Sequence, residues 1–369
     1  MKIALADHSH EAALREIMRQ TPMPGRIQVA FGREPDFFHG LSVEGKQNQV
    51  IVVMDQETVV AMGCRCIKPV YVNGQRMNLG YLGGLRLLES ARRGLVLARQ
   101  YGFLKELHKD GKVPAYLTTI IEDNQEAKAI LTSGRAGLPT YIDWGAYWTY
   151  AVNLCRRQKG QRGGVIRNSH ITIECGESTP ADRLVSFLNQ EGQRRQYFPA
   201  IDQEDFGTGY LRNLTLRDFL VAFRKGEIIG VVAKWDQRGF KQNLICGYAG
   251  SLRLFRPTLN ALLTLGGFRP LPKPGECLNM FYVAFICIKD DDPEVLQLLL
   301  HRLSFENRNS GYHYLLAGFH ERDNLRKAME AFRFVRYASR LYLVCWDDGL
   351  GFVGNLDQGK IPYLELAAL

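Results

Sequence analysis

The sequence predicts an α+β (α/β) protein of two tandem lobes, each a mixed, mostly antiparallel β-sheet flanked by helices. Two observations predict this fold class. Short runs of β-forming residues alternate with amphipathic helical segments, and the order of segments in the first half recurs in the second. At 369 residues and 46% hydrophobic content, the chain is large enough for two cores. We expect one lobe at residues 1–155, a basic linker at 156–167 and a second lobe at 168–369.

Each predicted lobe opens with a strand, a capping segment and a helix. The first is KIALADHSHEAALREIM and the second is HITIECGESTPADRLVSFL. In the second, Thr179 supplies an N-cap, Pro180 takes the first helical position and Asp182 the third. A hairpin of two apolar strands around a polar turn follows in both lobes, VIVVMDQETVVAMG (50–63) and FLVAFRKGEIIGVV (219–232).

A second pair of matching segments lies towards the end of each lobe. YLTTIIEDNQEAKAIL (116–131) and YLLAGFHERDNLRKAMEAF (314–332) both run from a strand through an acidic break into a helix. Aromatic strands follow each of them, YIDWGAYWTYAV and RLYLVCW. Between the lobes, CRRQKGQRGGVIRN (155–168) is basic and lacks apolar periodicity, which is typical of a linker.

The composition of the chain limits the kinds of molecule that we expect it to bind. The formal net charge of +9 and the pI of about 9.1 favour anionic partners, namely nucleotides, nucleic acid or acidic membrane surfaces. Apolar runs are too short to span a membrane, and MKIALADHSHE turns acidic too soon for a secretory signal, so we expect a cytoplasmic protein without a membrane partner. The Cys64-Arg65-Cys66 pair has no second ligand pair at suitable spacing, so no metal is expected and the cysteines are interpreted as buried thiols.

The junction LGGLRLLESARRGLVLAR (82–99) predicts a phosphate site. Arg92, Arg93 and Gly94 fall where a strand passes into a helix, and arginines at a helix N-terminus oppose the helix dipole unless an anion offsets them. The matching junction of the second lobe, AFICIKDDDPEVLQLLL (284–300), instead carries Asp290–Asp292 before Pro293. Those acids form a good helix start and would repel a phosphate, so we expect the second lobe to have lost this site.

The element order, this junction and Asn124-x-x-Ala127-x-x-x-Leu131 together resemble the GNAT superfamily of acetyl-CoA-dependent N-acyltransferases. The resemblance extends over nearly the whole chain in organisation, with its specific motifs at residues 79–131. It implies two GNAT-like lobes, the second with a degenerate coenzyme site, and acetyl-CoA or another acyl-CoA as co-substrate. It also implies a central strand that splays from its neighbour, and it assigns the Arg33–Phe38 segment to the acceptor side by analogy.

The resemblance implies the following coenzyme-binding residues. Asn124 faces the pantetheine arm, while the family's tyrosine position holds Leu131. The pyrophosphate is held by backbone amides of the junction, at Arg92, Arg93, Gly94, Leu95 and Val96. Backbone N–H groups of the splayed strand bind the oxyanion, at Leu85, Arg86 and Leu87.

Two residues are candidates for proton transfer. Glu122 ends the strand beside the central one, where a base could reach an incoming amine directly or through water. A solvated strand-end carboxylate is the alternative interpretation. Tyr81 on the central strand could serve as the acid, and a core tyrosine is the alternative there.

Three functions are compatible with these features. The first is acyl transfer from acyl-CoA to an amine, on a small molecule or a protein. The second is a catalytically silent module that binds acyl-CoA. The third is an aminoacyl-tRNA-dependent transferase that engages RNA through Arg156, Arg157, Arg162 and Arg167. No recognised RNA-binding motif interleaves aromatic residues with these arginines, so a nucleic-acid partner is not expected.

Overall fold

The structure is a computed structural model that describes residues 1–23, 25–92, 95–135, 137–154, 170–266 and 269–369. The predicted linker at 156–167 lies outside these residues. In chain order the first half contains strand β1 (Lys2–Leu5), helix α1 (Glu11–Gln20), β2 (Ile27–Gly32), α2 (Phe37–Leu41), β3 (Gln47–Asp55), β4 (Thr58–Val72), β5 (Gln75–Leu87), α3 (Val96–His108), β6 (Tyr116–Ile121), α4 (Gln125–Leu131) and β7 (Thr140–Asn153).

The second half follows a related order. It contains β8 (Ile171–Cys175), α5 (Ala181–Gly192), β9 (Phe219–Arg224), β10 (Glu227–Trp235), β11 (Gln242–Tyr248), α6 (Gly250–Leu265), β12 (Met280–Ile288), α7 (Pro293–Asn307), β13 (Tyr314–His320), β14 (Phe334–Cys345) and α8 (Leu350–Gly354). The segment expected to be a helix after β13 is a 3-10 stretch, Asn324–Ala331.

The two halves share one continuous sheet. Its twelve strands lie in the order β1-β3-β4-β5-β6-β14-β7-β13-β12-β10-β9-β8. Strand β14 of the second half is inserted between β6 and β7, and β7 of the first half pairs with β13. Each half therefore contributes its last strand to the sheet of the other. A separate antiparallel ribbon of β2 and β11 also joins the halves.

The predicted splay of the central strand occurs in both halves. Strands β5 and β6 are parallel, and their ladder contains only the pairs Gly80–Tyr116 and Tyr81–Leu117. Strands β12 and β13 are likewise parallel, paired only over the three rungs that begin at Met280–Tyr314. Beyond these pairs the strands separate, which leaves a V-shaped opening in each half of the sheet. The fold class, a mixed and mostly antiparallel sheet flanked by helices, is confirmed.

The first half of the sheet has two distinct faces. On what we call the α1 face, Leu14 and Ile17 of α1 pack in one buried cluster with Tyr81. On the α3 face, Tyr101 and Leu104 of α3 pack in another, which includes Leu82 and Tyr116. Because side chains alternate along a strand, neighbouring residues of β5 and β6 point to different faces.

Tight turns join β4 to β5 and, in the predicted hairpin at 219–232, β9 to β10. Asn73 and Gly74, between β4 and β5, have φ values of 52° and 82°. Lys225 and Gly226, between β9 and β10, have φ values of 51° and 81°. Left-handed conformation at both central residues is the geometry of two-residue hairpin turns, which explains the Asn-Gly sequence in the first.

The described cysteines are free thiols, with Cys64, Cys66, Cys287 and Cys345 buried. Within the same part of the chain, no three histidine, cysteine or acidic side chains come together as a set of metal ligands. No helix in the described ranges is long and apolar enough to cross a membrane.

Candidate functional site

The opening between β5 and β6 is the feature on which the predicted site depends. The two strands are joined by the ladder pairs Gly80–Tyr116 and Tyr81–Leu117, with the Gly80 N–H donating to the Ala115 carbonyl (3.1 Å), and by the Thr118 hydroxyl, which donates to the Leu82 carbonyl (2.7 Å). From there β5 continues to Leu87 paired with β4 alone. An extended group can therefore enter between the two strands and meet the backbone of β5.

A β-bulge redirects β5 beside this opening. The β4–β5 register shifts so that Cys64 pairs with Gly83 and Met62 with Arg86. Gly84, inside the bulge, has a φ of +61°, and a Cβ there would lie 3.0 Å from the Cys64 sulfur, so glycine suits both its conformation and its space. The bulge re-aims the segment that holds the predicted oxyanion donors, Leu85, Arg86 and Leu87.

The junction after β5 leads to the start of α3. A 3-10 turn, Glu89–Ala91, follows the strand, and α3 begins after Leu95, which provides no side-chain cap. The first turn of α3 has no acidic residue, and Leu95 is 66% exposed whereas Val96 is buried. The exposed N-terminus thus retains the positive end of the helix dipole. Arg93 and Gly94, predicted to bind phosphate, lie outside the described residues.

Arg92 and Asn124 lie at the same end of the opening. The Arg92 guanidinium is half-exposed, 3.5 Å from the Glu89 carboxylate and 3.6 Å from the Glu126 carboxylate in the first turn of α4. Asn124 is the N-cap of α4, with its side-chain oxygen accepting from the Ala127 N–H (3.1 Å). The starts of α3 and α4 are therefore brought together at the mouth of the opening, as the GNAT resemblance implies.

Tyr81 lies where β5 and β6 separate, on the α1 face. Its ring is buried, and its hydroxyl is 3.2 Å from the Thr119 hydroxyl on β6. Burial raises the pKa of Tyr81. The phenol is therefore neutral at physiological pH and is available as a hydrogen-bond donor.

Glu122 lies on the opposite face from Tyr81. It directly follows β6, and its backbone N–H donates to the Ala338 carbonyl (3.0 Å). Burial and the charge of Asp143 raise the pKa of Tyr342, and the Glu122 charge adds to the rise. Tyr116 and Ile120 of β6 belong to the α3-face cluster, and because side chains alternate along a strand, Glu122 occupies a position on the same face. The structure does not bring the two proposed proton-transfer residues together.

A buried polar cluster on the α1 face is a feature that the sequence did not indicate. Glu44 is 3% exposed and accepts from the Arg33 guanidinium (2.7 Å), with the Lys241 ammonium 3.8 Å away. Its other oxygen lies 3.5 Å from where a Cβ of Gly83 would be. The members come from distant parts of the chain, so no local pattern relates them. Only the assignment of Arg33–Phe38 to the acceptor side pointed towards this region.

The opening in the second half is filled by the chain itself. The Phe285 N–H donates to the Glu365 carboxylate (2.8 Å), and the Ile286 N–H donates to the Tyr363 hydroxyl (3.1 Å). The Tyr363 hydroxyl in turn donates to Glu365 (2.7 Å), and Glu365 is 3% exposed. Backbone donors of β12 beyond its ladder are therefore already paired inside the protein.

Acidic side chains at the junction between β12 and α7 also have hydrogen-bond and ion-pair partners within the chain. Asp292 is the N-cap of α7 and accepts from the Glu294 N–H (2.9 Å), with Pro293 at the first helical position, as the sequence predicts. Asp291 pairs with the buried Arg195, which also donates to Asp323 at the end of β13 (2.5 Å). Arg195 therefore links the segment that follows β12, through Asp291, to the segment that follows β13, through Asp323.

Comparisons with known proteins agree with this architecture. No protein-family model and no curated protein sequence match the chain. The fold is similar to that of Saccharomyces cerevisiae N-myristoyltransferase with bound myristoyl-CoA (11% identity, 93% of this chain and 78% of that chain covered, TM-score 0.56). It is also similar to a GCN5-related N-acetyltransferase from Anabaena variabilis ATCC 29413 (11% identity, 93% and 72% covered, TM-score 0.48). The chain therefore shares the fold of the yeast N-myristoyltransferase over 93% of its length, in agreement with the fold class expected from the sequence.

Proposed function

We propose that the chain is a cytoplasmic acyltransferase that moves an acyl group, acetyl in the simplest case, from acyl-CoA to an amine. The observation that carries the proposal is the first-half opening, which begins at Tyr81 and ends at an uncapped helix start without acidic residues. The yeast N-myristoyltransferase of similar fold holds myristoyl-CoA, which supports an acyl-CoA as co-substrate. The coenzyme site belongs to the lobe at residues 1–155, and the lobe at 168–369 has none.

The coenzyme is proposed to lie along the opening. Its diphosphate meets the amides of the junction that ends at Leu95 and Val96, together with Arg92. Its pantetheine arm passes between β5 and β6, near Leu85 and Tyr116, with Asn124 beside the arm. The thioester carbonyl then faces the bulged end of β5, where backbone N–H groups can stabilise an oxyanion.

The reaction forms a C–N bond and breaks the C–S bond of the thioester. The amine must lose a proton to attack, and Glu122 accepts it through water within the opening. Tyr81, which lies where the strands separate, is the candidate acid, and its hydroxyl donates a hydrogen bond to the departing thiolate. Glu44 lies on the same face as Tyr81 and is the alternative base.

Two other functions remain alternatives. A silent module would bind acyl-CoA without turnover, and the leucine at position 131 is the feature that favours it. An aminoacyl-tRNA-dependent transferase would use the arginines of residues 156–167, which lie outside the described residues. Thermal stabilisation by a panel of acyl-CoAs, followed by thiol-release assays over a library of amines, separates the three.

Replacing Arg92 by glutamine is expected to weaken acyl-CoA binding roughly 10-fold, because one charge-assisted contact with the diphosphate is lost. Isothermal titration calorimetry measures the dissociation constant. Lys105→Gln is the matched control, since Lys105 is an exposed cation in the last turn of α3, at the end opposite to the junction. Equal affinity in Arg92→Gln and wild type would contradict the proposed position of the diphosphate.

We expect one acyl-CoA molecule to bind per chain. In the second half, Glu365 and Tyr363 already bond to the β12 amides at Phe285 and Ile286, so a coenzyme would have to displace a buried segment. The stoichiometry from the same titration checks this. A value of two at saturation would show that the second opening can accept the coenzyme.

A further inference from the structure

Among the described residues, Arg86 is a cation for which no carboxylate lies within ion-pair distance. Its terminal nitrogen donates to the Leu85 carbonyl (2.8 Å), and its guanidinium lies 5.8 Å from the centre of the Phe31 ring. Its Nε is shielded from solvent and has no hydrogen-bond partner. Among the residues that the structure describes, no carboxylate forms an ion pair with it. A shielded guanidinium nitrogen with no acceptor is costly, so the site favours an added anion.

The neighbouring charges do not satisfy Arg86. Glu44, the buried carboxylate of this region, is already paired with Arg33 (2.7 Å) and lies 3.8 Å from Lys241. Burial, followed by the like charge of Arg33, lowers the pKa of Arg86 to about 10. Arg33 and Lys241 thus share the Glu44 carboxylate, and for the partly exposed Arg86 the described residues provide no ion pair.

The bulge at Gly84 determines the face of the sheet on which the Arg86 side chain lies. Arg86 pairs with Met62 and Gly83 with Cys64, and both β4 residues belong to the α1-face cluster. Arg86 thus shares the face of Tyr81 and lies across the sheet from α3. The proposed diphosphate site at the start of α3 is on the other face, so an anion beside Arg86 comes from a different molecule.

We infer that Arg86 binds a carboxylate of the acceptor, which makes the acceptor an amine that also carries a carboxylate, as an amino acid does. This inference rests on the proposed acyl transfer. The guanidinium fork matches the two oxygens of a carboxylate, which it can bind through two parallel hydrogen bonds. The carboxylate of the acceptor contacts the Arg86 guanidinium next to the Phe31 ring. The amine of the acceptor lies along β5, towards the opening at Tyr81.

The test compares matched acceptors and matched variants. Each amino acid is assayed beside its carboxamide and its phosphonate analogue, in wild type, Arg86→Gln, Arg86→Lys and Arg76→Gln. Arg76 is the control because it lies at the far end of β5 and pairs with Asp202 at the surface. Arg86→Gln keeps the backbone N–H proposed to face the oxyanion, so we expect it to lower kcat/KM for the carboxylate roughly 10–100-fold more than for the carboxamide. Equal losses for the two acceptors would overturn the inference, and a preference for the phosphonate would assign the site to phosphate instead.

Two further readouts separate this inference from the proposed function. Thermal stabilisation by amino acids without acyl-CoA should occur in wild type and be lost in Arg86→Gln, whether or not acyl-CoA binds. The Tm of Arg86→Gln without ligand should equal or exceed that of wild type, because an unpaired shielded cation is removed. A lower Tm with unchanged acceptor preference would show that Arg86 has a structural role. Efficient turnover of uncharged amines by both wild type and Arg86→Gln would support acyl transfer but overturn this inference.

Discussion

Glu122→Gln is expected to lower kcat by roughly 10²–10⁴-fold, the loss typical of a general base, with little change in acyl-CoA affinity. A lysine-like amine has an unperturbed pKa near ~10.4, so most of it is protonated at neutral pH and must lose a proton before it attacks. Glutamine keeps the shape of Glu122 but cannot accept that proton. Steady-state thiol release with a saturating amine measures kcat, and calorimetry measures the acyl-CoA dissociation constant.

Asp123→Asn is the matched control, because Asp123 is the next residue, is exposed and carries the same charge. Unchanged turnover in Glu122→Gln would move the base to Glu44, which shares the α1 face with Tyr81, and Glu44→Gln then becomes the decisive variant. Tight acyl-CoA binding without turnover for any amine in wild type would favour the silent module.

Arg195→Met is expected to lower the free energy of unfolding by about 3–5 kcal/mol, the cost of breaking a buried ion pair from one side. Arg195 is 5% exposed and donates to Asp323, which is 3% exposed, as well as to Asp291. Methionine occupies much of the same volume but leaves the Asp323 charge buried without its partner. Urea denaturation followed by circular dichroism measures the change.

Arg194→Met provides the control for this stability measurement. Arg194 is the adjacent residue, but it is exposed and pairs at the surface with Glu191 (2.8 Å) and Asp290 (3.5 Å). Such surface pairs contribute about 0–1 kcal/mol, so this variant should unfold near the wild-type midpoint. A similarly small loss in Arg195→Met would contradict the view that the buried Arg195–Asp323 pair contributes to stability.

Local patterns in the sequence determined the elements and the character of each junction. The hairpin at 219–232 and the cap at Asp292-Pro293 each depend on a few adjacent residues, and the duplicated order of strands and helices is a succession of such local elements. Helix and strand periodicity, turn conformation and capping depend on neighbours in the chain, so these features can be predicted without tertiary contacts. The contrast between a basic junction at Arg92 and an acidic one at Asp290–Asp292 was predicted in the same way.

Tertiary structure alone decided which strands pair across the middle of the sheet and which side chains meet. Strands β7 and β14 carry similar aromatic patterns, and alternation alone does not determine which neighbour each of them joins, so their exchange depends on long-range packing. The bulge at Gly84 adds one residue to β5, so Arg86 lies on the opposite face from the one that strict alternation along the strand would predict. Glu44, Arg33 and Lys241 come together because the β2–β11 ribbon joins the two halves, and only the folded chain makes that contact.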